Sequence, residues 1–266
     1  MQSLKKSLHF HKKTLLSILL ILVFIWSLLS IEWGPGLFHP GGRVTIFQIF
    51  QAFFQPDLSL EVLTLAFVST WRTLAYAVAG ITLAVIIAFI LGILASGILA
   101  AKTSSCLFSK SIFRGLLGFM RAIHELVWAW LFVAAVGLSP FAAIFALAIP
   151  YGGTLGRIFA DILNDVPHEP IQALKASGAS PLQLLCYGYL PMAKVDMISY
   201  TMYRFECAVR SSTIMSFVGL GGLGYQIQLS LADLNYSKVW TYMFFLIVLI
   251  VLIDLWSNLL RKRLTV

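Results

Sequence analysis

Apolar residues fall in long blocks along this chain, and most blocks approach the ~20 residues an α-helix needs to cross a bilayer. The first, Thr14–Ile31, follows a basic stretch that holds Lys5, Lys6, Lys12 and Lys13. That start resembles a secretory signal, but the apolar run is longer than an h-region and no A-x-A-like site follows at once. An uncleaved first helix is therefore expected. Glu32–Ser59 reads as an external loop rich in Gly and Pro (Gly34, Pro35, Gly36, Pro40, Gly41, Gly42), with an amphipathic piece around Val44–Phe54. From Glu61 to Ala101 the apolar stretch exceeds one span, which predicts a short lead-in helix and then a span at about Leu74–Ala100. Further spans are expected at about Leu116–Leu138, Phe141–Leu163, Met192–Val218 and Val239–Leu260, with a tight external turn at Ser139-Pro140. The pattern thus predicts about six spans.

Composition supports this reading. The chain is 59% hydrophobic and only 11% charged, against roughly 25% charged in a soluble domain, so it cannot clothe a water-facing surface. The expected class is an all-α polytopic membrane protein. Its net charge of +8 would suggest nucleic acid in a soluble protein. Here the basic residues cluster between spans: the N-terminal lysines, then Lys102, Lys110 and Arg114, then Arg261-Lys262-Arg263. All fall on one side, so topology explains the charge and no nucleic-acid partner is expected. Cytoplasmic loops are the ones enriched in Lys and Arg, which places both termini in the cytoplasm.

Several chemistries find no support. Cys106, Cys186 and Cys207 are odd in number and lack metal-ligand spacing, so neither a disulfide nor a metal site is expected. No H-E-x-x-H, C-x-x-C or credible catalytic triad occurs. No G-x-x-x-x-G-K-[ST] loop is present to cradle nucleotide phosphates, so any ATP-driven step needs a separate chain to bind ATP and Mg.

The polar segment Asn164–Leu190 carries the most information. Pro167 and Pro170 suit the first turn of a helix, Ile171–Ser177 can form that helix, and Gly178 can end it. Pro181 then suits the start of a second short helix. Two helices meeting at a glycine form a knob that fits a groove in a soluble partner; an ordinary helical hairpin loop would read the same way. Gln172-Ala173-Leu174, then Gly178, then Leu190-Pro191 resembles the EAA motif of ABC importer permeases, with Pro191 13 residues after Gly178. Ala179, Ser180 and Pro181, which follow Gly178, complete the candidate coupling set. Gln172 stands for the usual Glu, Leu174 for the second Ala, and Gly188 where an aliphatic residue is common.

Other segments resemble the phosphonate-type branch of these permeases. They are Arg121–Ala129, Phe132–Gly137, Tyr203–Glu206, Arg210–Thr213 and Phe217–Gly224. The likeness runs from about Glu61 to the C-terminus, with His124 where many relatives carry Pro. It implies a type I importer permease fold over residues 61–266, after an N-terminal part of residues 1–60. It also implies a homodimer, two ATPase subunits that drive the coupling helix in residues 164–191, and an external substrate-binding protein. The site of action would be the bacterial cytoplasmic membrane, and the cargo a phosphonate or a reduced phosphorus oxyanion such as phosphite or hypophosphite. The alternatives are a permease for another small solute, such as an amino acid, or a self-sufficient secondary transporter or intramembrane enzyme.

Ionisable groups inside spans cost at least about 2.5–3.5 kcal/mol each, so they face partners or a watery path. Candidates are Arg121, His124 and Glu125; Arg157 and Asp161; and Arg204, Glu206 and Arg210. Arg121 with Glu125 and Glu206 with Arg210 have i,i+4 spacing and can pair along a helix, which would lock the bundle. Alternatively an arginine keeps hydrogen-bonding capacity for a phosphorus oxyanion, which its fork matches well. Arg210 with Ser211, Ser212 and Thr213 is the first choice for such a cluster, and Arg204 the second. Gly219, Gly221, Gly222 and Gly224 form either a gate or a simple helix break. Trp26, Trp33, Trp71, Trp240 and Trp256 are expected near span ends, while Trp128 and Trp130 sit deeper.

Overall fold

The computed structural model describes residues 2–31, 41–99 and 103–264, and the regular structure among them is helical throughout. Trp33, Gly34, Pro35, Gly36, Pro40 and Lys102 lie outside the described residues, as do the side chains of Lys5, Lys6, Lys12, Lys13 and Cys106. Residues up to Gln51 and residues from Ala52 onward form two units, each described by itself.

In the first unit, α1 (Gln2–Leu29) contains the apolar helical stretch Thr14–Leu29. Leu15, Leu22, Trp26 and Leu29 are all exposed, as on a helix that faces hydrocarbon all round. The amphipathic piece becomes α2 (Gly42–Phe54).

In the second unit the order is α3 (Leu60–Ser96), α4 (Thr103–Ala122), α5 (Glu125–Val136), α6 (Pro140–Asn164), α7 (His168–Ala176), α8 (Pro181–Gln183), α9 (Leu190–Met215), α10 (Leu223–Ala232) and α11 (Tyr236–Leu264). Among the described residues α3, α6 and α11 are each long and apolar enough to cross a membrane. Two bent pairs also qualify: α4 with α5, bent by 85°, and the segment Pro181–Val218 with α10, bent by 44°.

The expected break before Leu74 is absent: α3 runs unbroken for 37 residues. No Gly or Pro interrupts its first half, and its polar residues satisfy themselves along the helix. Thr64 donates to the Glu61 carbonyl, Thr70 to Ala66 and Thr73 to Ser69, at 2.7–2.9 Å. One consequence is that Trp71, expected at a span end, lies well inside the helix. The third expected span, by contrast, is broken. α4 ends at Ala122 and His124 caps α5, its Nδ1 accepting the Leu126 amide at 3.2 Å. At about 1.5 Å per residue, the 12 residues of α5 fall well short of the ~30 Å hydrocarbon core.

α6 is the central helix, in contact with α3, α4, α5 and α9. Small residues recur every fourth position on the two facing stripes: Gly80, Ala84, Ala88 and Gly92 on α3, and Ala148, Gly152, Gly156 and Ala160 on α6, all buried. Such stripes let helix backbones approach closely where no hydrophobic effect draws helices together. Between these stripes backbone meets backbone most closely at Gly92, where a Cβ would lie 2.9 Å from the Gly156 carbonyl oxygen.

The polar segment folds as a knob at one end of this bundle. α7 ends in a Schellman motif: the Gly178 amide donates to the Lys175 carbonyl at 3.0 Å and the Ala179 amide to Leu174 at 3.2 Å. Gly178 sits at φ 83°, a region that glycine enters without strain. Ser180 and Gln183 form a capping box around Pro181. The expected second short helix is instead the first turn of the next span. α8 passes through the π-helical turn Leu184–Tyr189 into α9 without a break. Ile171 and Leu174 of α7 pack over Gly188, where a Cβ would lie 2.7 and 3.1 Å from their terminal carbons. Two of the three departures from the motif, Leu174 and Gly188, thus compensate each other, since the larger Leu174 needs the missing side chain at position 188.

Candidate functional site

The break between α4 and α5 opens a cavity of about 300 Å³ against α6 and α9, lined by Arg121, His124, Glu125, Tyr151, Thr154 and Arg204 among others. Local sequence explains each wall. The chain turns at His124, which delivers Glu125 at the first turn of α5, where a carboxylate suits the positive end of the helix dipole. Arg121 ends α4, where a cation suits the negative end. On α6, Pro150 has no amide to donate to the preceding turn, and Thr154 donates its hydroxyl to the Pro150 carbonyl at 2.9 Å. Gly152 and Gly153 follow Tyr151, and Gly153 seats α4 closely, with a Cβ there 2.8 Å from that of Met120.

A hydrogen-bonded chain crosses the cavity floor. Ser211 of α9 donates to Glu125 Oε1 at 2.6 Å, and its hydroxyl lies 2.9 Å from that of Tyr151. Glu125 Oε2 lies 3.7 Å from His124 Nε2, and the Glu125 side chain is only 19% exposed. Arg204 is held by two aromatic faces, its guanidinium carbon 5.7 Å from the Tyr200 ring centroid and 5.6 Å from that of Tyr203, a cation–π arrangement. Its Nε is buried without a hydrogen-bond partner among the described residues. Two guanidiniums and one carboxylate leave the cavity positive overall. What it can do chemically is hold a small anion by charge-assisted hydrogen bonds.

The expected pairs along helices do not form. Arg121 and Glu125 are separated by the 85° break, and Glu125 bonds to Ser211 instead. Glu206 and Arg210 share an unbroken helix, but both find partners on α11: Arg261 reaches Glu206 at 2.7 Å, and Arg210 lies 3.7 Å from Asp254. Glu206 is buried, and a buried carboxylate without a partner is costly. The i,i+4 pair that does form is Arg157–Asp161 at 2.9 Å, with Arg114 of α4 joining it at 3.0 Å.

The cluster of Arg210, Ser211, Ser212 and Thr213 is likewise divided. Arg210 faces α11 and does not line the cavity, whereas Ser211 reaches it through Glu125. Ser212 and Thr213 are buried and donate to backbone carbonyls, Ser212 to Thr73 at 2.9 Å and Thr213 to Val209 at 3.3 Å. They belong to the glycine break. Gly219, Gly221 and Gly222 all have positive φ, and the Leu223 amide donates to the Thr73 hydroxyl at 2.9 Å. Tyr76 donates to the Leu220 carbonyl at 3.1 Å. A Cβ at Gly224 would overlap the Thr213 carbonyl oxygen, so α9 and α10 meet there backbone to backbone. At the knob, Gln172, Ala173 and Pro181 are exposed, as is Gly178, while Leu190 and Pro191 begin α9. Trp128 stacks on Phe132, but Trp130 is exposed and does not line the bundle.

Sequence reading missed Tyr151, Thr154 and Tyr200, and met Tyr203 only as part of the Tyr203–Glu206 stretch. A signal was present in Pro150-Tyr151-Gly152-Gly153, since a proline, a phenol and two glycines inside one span mark a missing backbone donor beside a close helix contact.

Comparison with known proteins follows the same lines. The family model of the binding-protein-dependent transport system inner membrane component matches residues 92–266. The phosphite transport system permease protein PtxC of Stutzerimonas stutzeri is 32% identical over 191 residues, 72% of this chain and 68% of that protein. The putative phosphite transport system permease protein HtxC of the same organism is 32% identical over 255 residues, 94% of this chain and 86% of that one. Among solved structures, the inward-facing MetNI methionine ABC transporter has a chain that aligns with a TM-score of 0.68 at 20% identity, covering 78% of this chain and 99% of that chain. At that identity the likeness is one of fold.

Proposed function

Since this chain belongs to the family of binding-protein-dependent transport system inner membrane components, we propose that it is the pathway subunit of an ATP-driven importer for phosphonates or reduced phosphorus oxyanions. Two copies enclose the path. An external binding protein delivers the ligand at one face, and two ATPase subunits, which bind ATP and Mg, engage the other. The N- and C-termini lie on the ATPase side. The knob formed by α7 and Gly178 is the coupling element. It is exposed on the partner side, rigidly capped, and continuous with α9, so a displacement of the knob acts on the helix that carries Arg204 and Ser211. Binding energy from the ATPases then biases a bistable bundle.

The single observation that carries the ligand assignment is the convergence of Arg121 and Arg204 on one cavity. A planar fork with free donors suits a tetrahedral oxyanion. The curated relatives named for phosphite transport support the same class. The test is ATP-dependent uptake of phosphite into proteoliposomes holding the permease and ATPase, with and without the binding protein. Uptake only when ATP and binding protein are both present supports the reading. Uptake by the permease alone, driven by an ion gradient, contradicts it.

A further inference from the structure

A carboxylate does not belong beside an anion unless the anion has a proton to give. Glu125 stands in that position. It lines the same cavity as Arg121 and Arg204, and Ser211 occupies one of its oxygens at 2.6 Å. The other oxygen has His124 Nε2 for a neighbour at 3.7 Å, too long for a hydrogen bond. His124 accepts the Leu126 amide on Nδ1, so in the neutral ring the proton sits on Nε2. Among the described residues Oε2 is therefore an acceptor with no short donor. An ionised carboxylate accepts and never donates.

We propose that Glu125 is a specificity-determining residue that reads a hydroxyl on the ligand, so the cavity selects tetrahedral oxyanions that still carry one P–OH group. The guanidiniums of Arg121 and Arg204 take the unprotonated oxygens, and Glu125 Oε2 accepts from the P–OH. The same carboxylate repels a fully deprotonated dianion and leaves a ligand without a hydroxyl one hydrogen bond short. Donor–acceptor matching of this kind discriminates far better than fit in an apolar pocket. The inference rests on the functional reading above, because it assigns the ligand class of the same cavity.

Phosphite and hypophosphite separate the possibilities. The phosphite monoanion carries one P–OH and loses it as pH rises through neutrality; hypophosphite carries none and does not titrate there. Other groups face Glu125: His124, Arg121 on α4, Tyr151 on α6 with Cys207 in electrostatic range of it, and Ser211 and Arg204 on α9. Titration of any of these changes uptake of both ligands, whereas loss of the ligand's own proton changes phosphite alone.

Uptake is measured in proteoliposomes holding the permease and its ATPase, over a pH series from about 6 to 8 around the imidazole range. Each ligand is expressed per loaded binding protein. With the native chain, phosphite uptake is expected to fall as pH rises while hypophosphite uptake stays flat. Glu125→Gln keeps an oxygen for Ser211 and turns an amide donor toward the cavity. It is expected to flatten the phosphite profile and raise the hypophosphite-to-phosphite ratio about tenfold, the scale of one hydrogen bond to a charged group. Hypophosphite uptake also shows that the variant is folded. Equal loss of both ligands with an unchanged phosphite profile overturns the inference, as does a native phosphite profile that is flat. If the native complex takes up neither ligand at any pH, the functional reading fails instead.

Discussion

The knob leads into α9 and the cavity opens against it, yet the two are built in opposite ways. The knob is local: Pro167, Gly178, Ser180, Pro181 and Gln183 set their own caps and turns within about twenty residues of chain, and their hydrogen bonds close over short sequence separations. The cavity is non-local. Its central bond joins Ser211 to Glu125 across 86 residues, and Tyr151 reaches Ser211 across 60. Local elements are fixed by backbone chemistry that a sequence displays directly. Non-local ones depend on which helix wins a partner, and burial decides that.

Four changes break or sharpen this contrast. The largest effect is expected at Arg204, whose truncation removes the guanidinium from the cavity. Arg204→Ala should cut uptake roughly 10- to 100-fold, on the 1.5–3 kcal/mol scale of hydrogen bonds to charged groups, while basal, ligand-independent ATP hydrolysis by the complex persists. Arg204→Lys should restore charge but not the fork, and uptake against ligand concentration would show the difference. Unchanged uptake in both variants would mean that the cavity is structural.

Next is Gly178→Val. The site has open space around it but holds φ 83°, so the cost is backbone strain of about 1–2 kcal/mol or more for a β-branched residue. Membrane insertion should survive and ligand-stimulated ATPase activity should be lost. Full stimulation would show that the knob is an ordinary hairpin. Smaller still, Gly188→Leu should lower thermal stability by about 1–3 kcal/mol through overpacking against Ile171 and Leu174. Adding Leu174→Ala should recover most of that loss, a non-additive pair that a double-mutant cycle would measure. Thr73→Val is expected to be mildest, costing about 1 kcal/mol, the low end for a buried amide left unpaired, here that of Leu223. Hydrogen exchange at Leu223 would report it.

The same contrast explains what could be read from sequence. Spans showed as apolar runs because hydrocarbon demands them, and Gly178 with Pro181 located the knob to the residue. The expectation of a lead-in helix before Leu74 follows from length alone, since the stretch exceeds one span, but Thr64, Thr70 and Thr73 each bond back within one unbroken 37-residue helix. The pairs Arg121–Glu125 and Glu206–Arg210 were expected from helical spacing alone. A break at His124 removed one, and Asp254 and Arg261 on α11 drew off the other. Ser212 and Thr213 carry the hydroxyls that suit an anion, but their helix turns them into the bundle toward Thr73 and Val209. The cavity residues on α6 gave only the Pro150–Gly153 signal, since the aromatic and small residues lining a cavity also build an ordinary core.

The most direct test of the central claim is ATPase activity in liposomes holding this permease, its ATPase and its binding protein, compared across a phosphonate, phosphite, hypophosphite and an amino acid. Stimulation by a phosphorus ligand, only with the binding protein present and absent in Arg204→Ala, is the result predicted. Stimulation by the amino acid alone, untouched by Arg204→Ala, would contradict it.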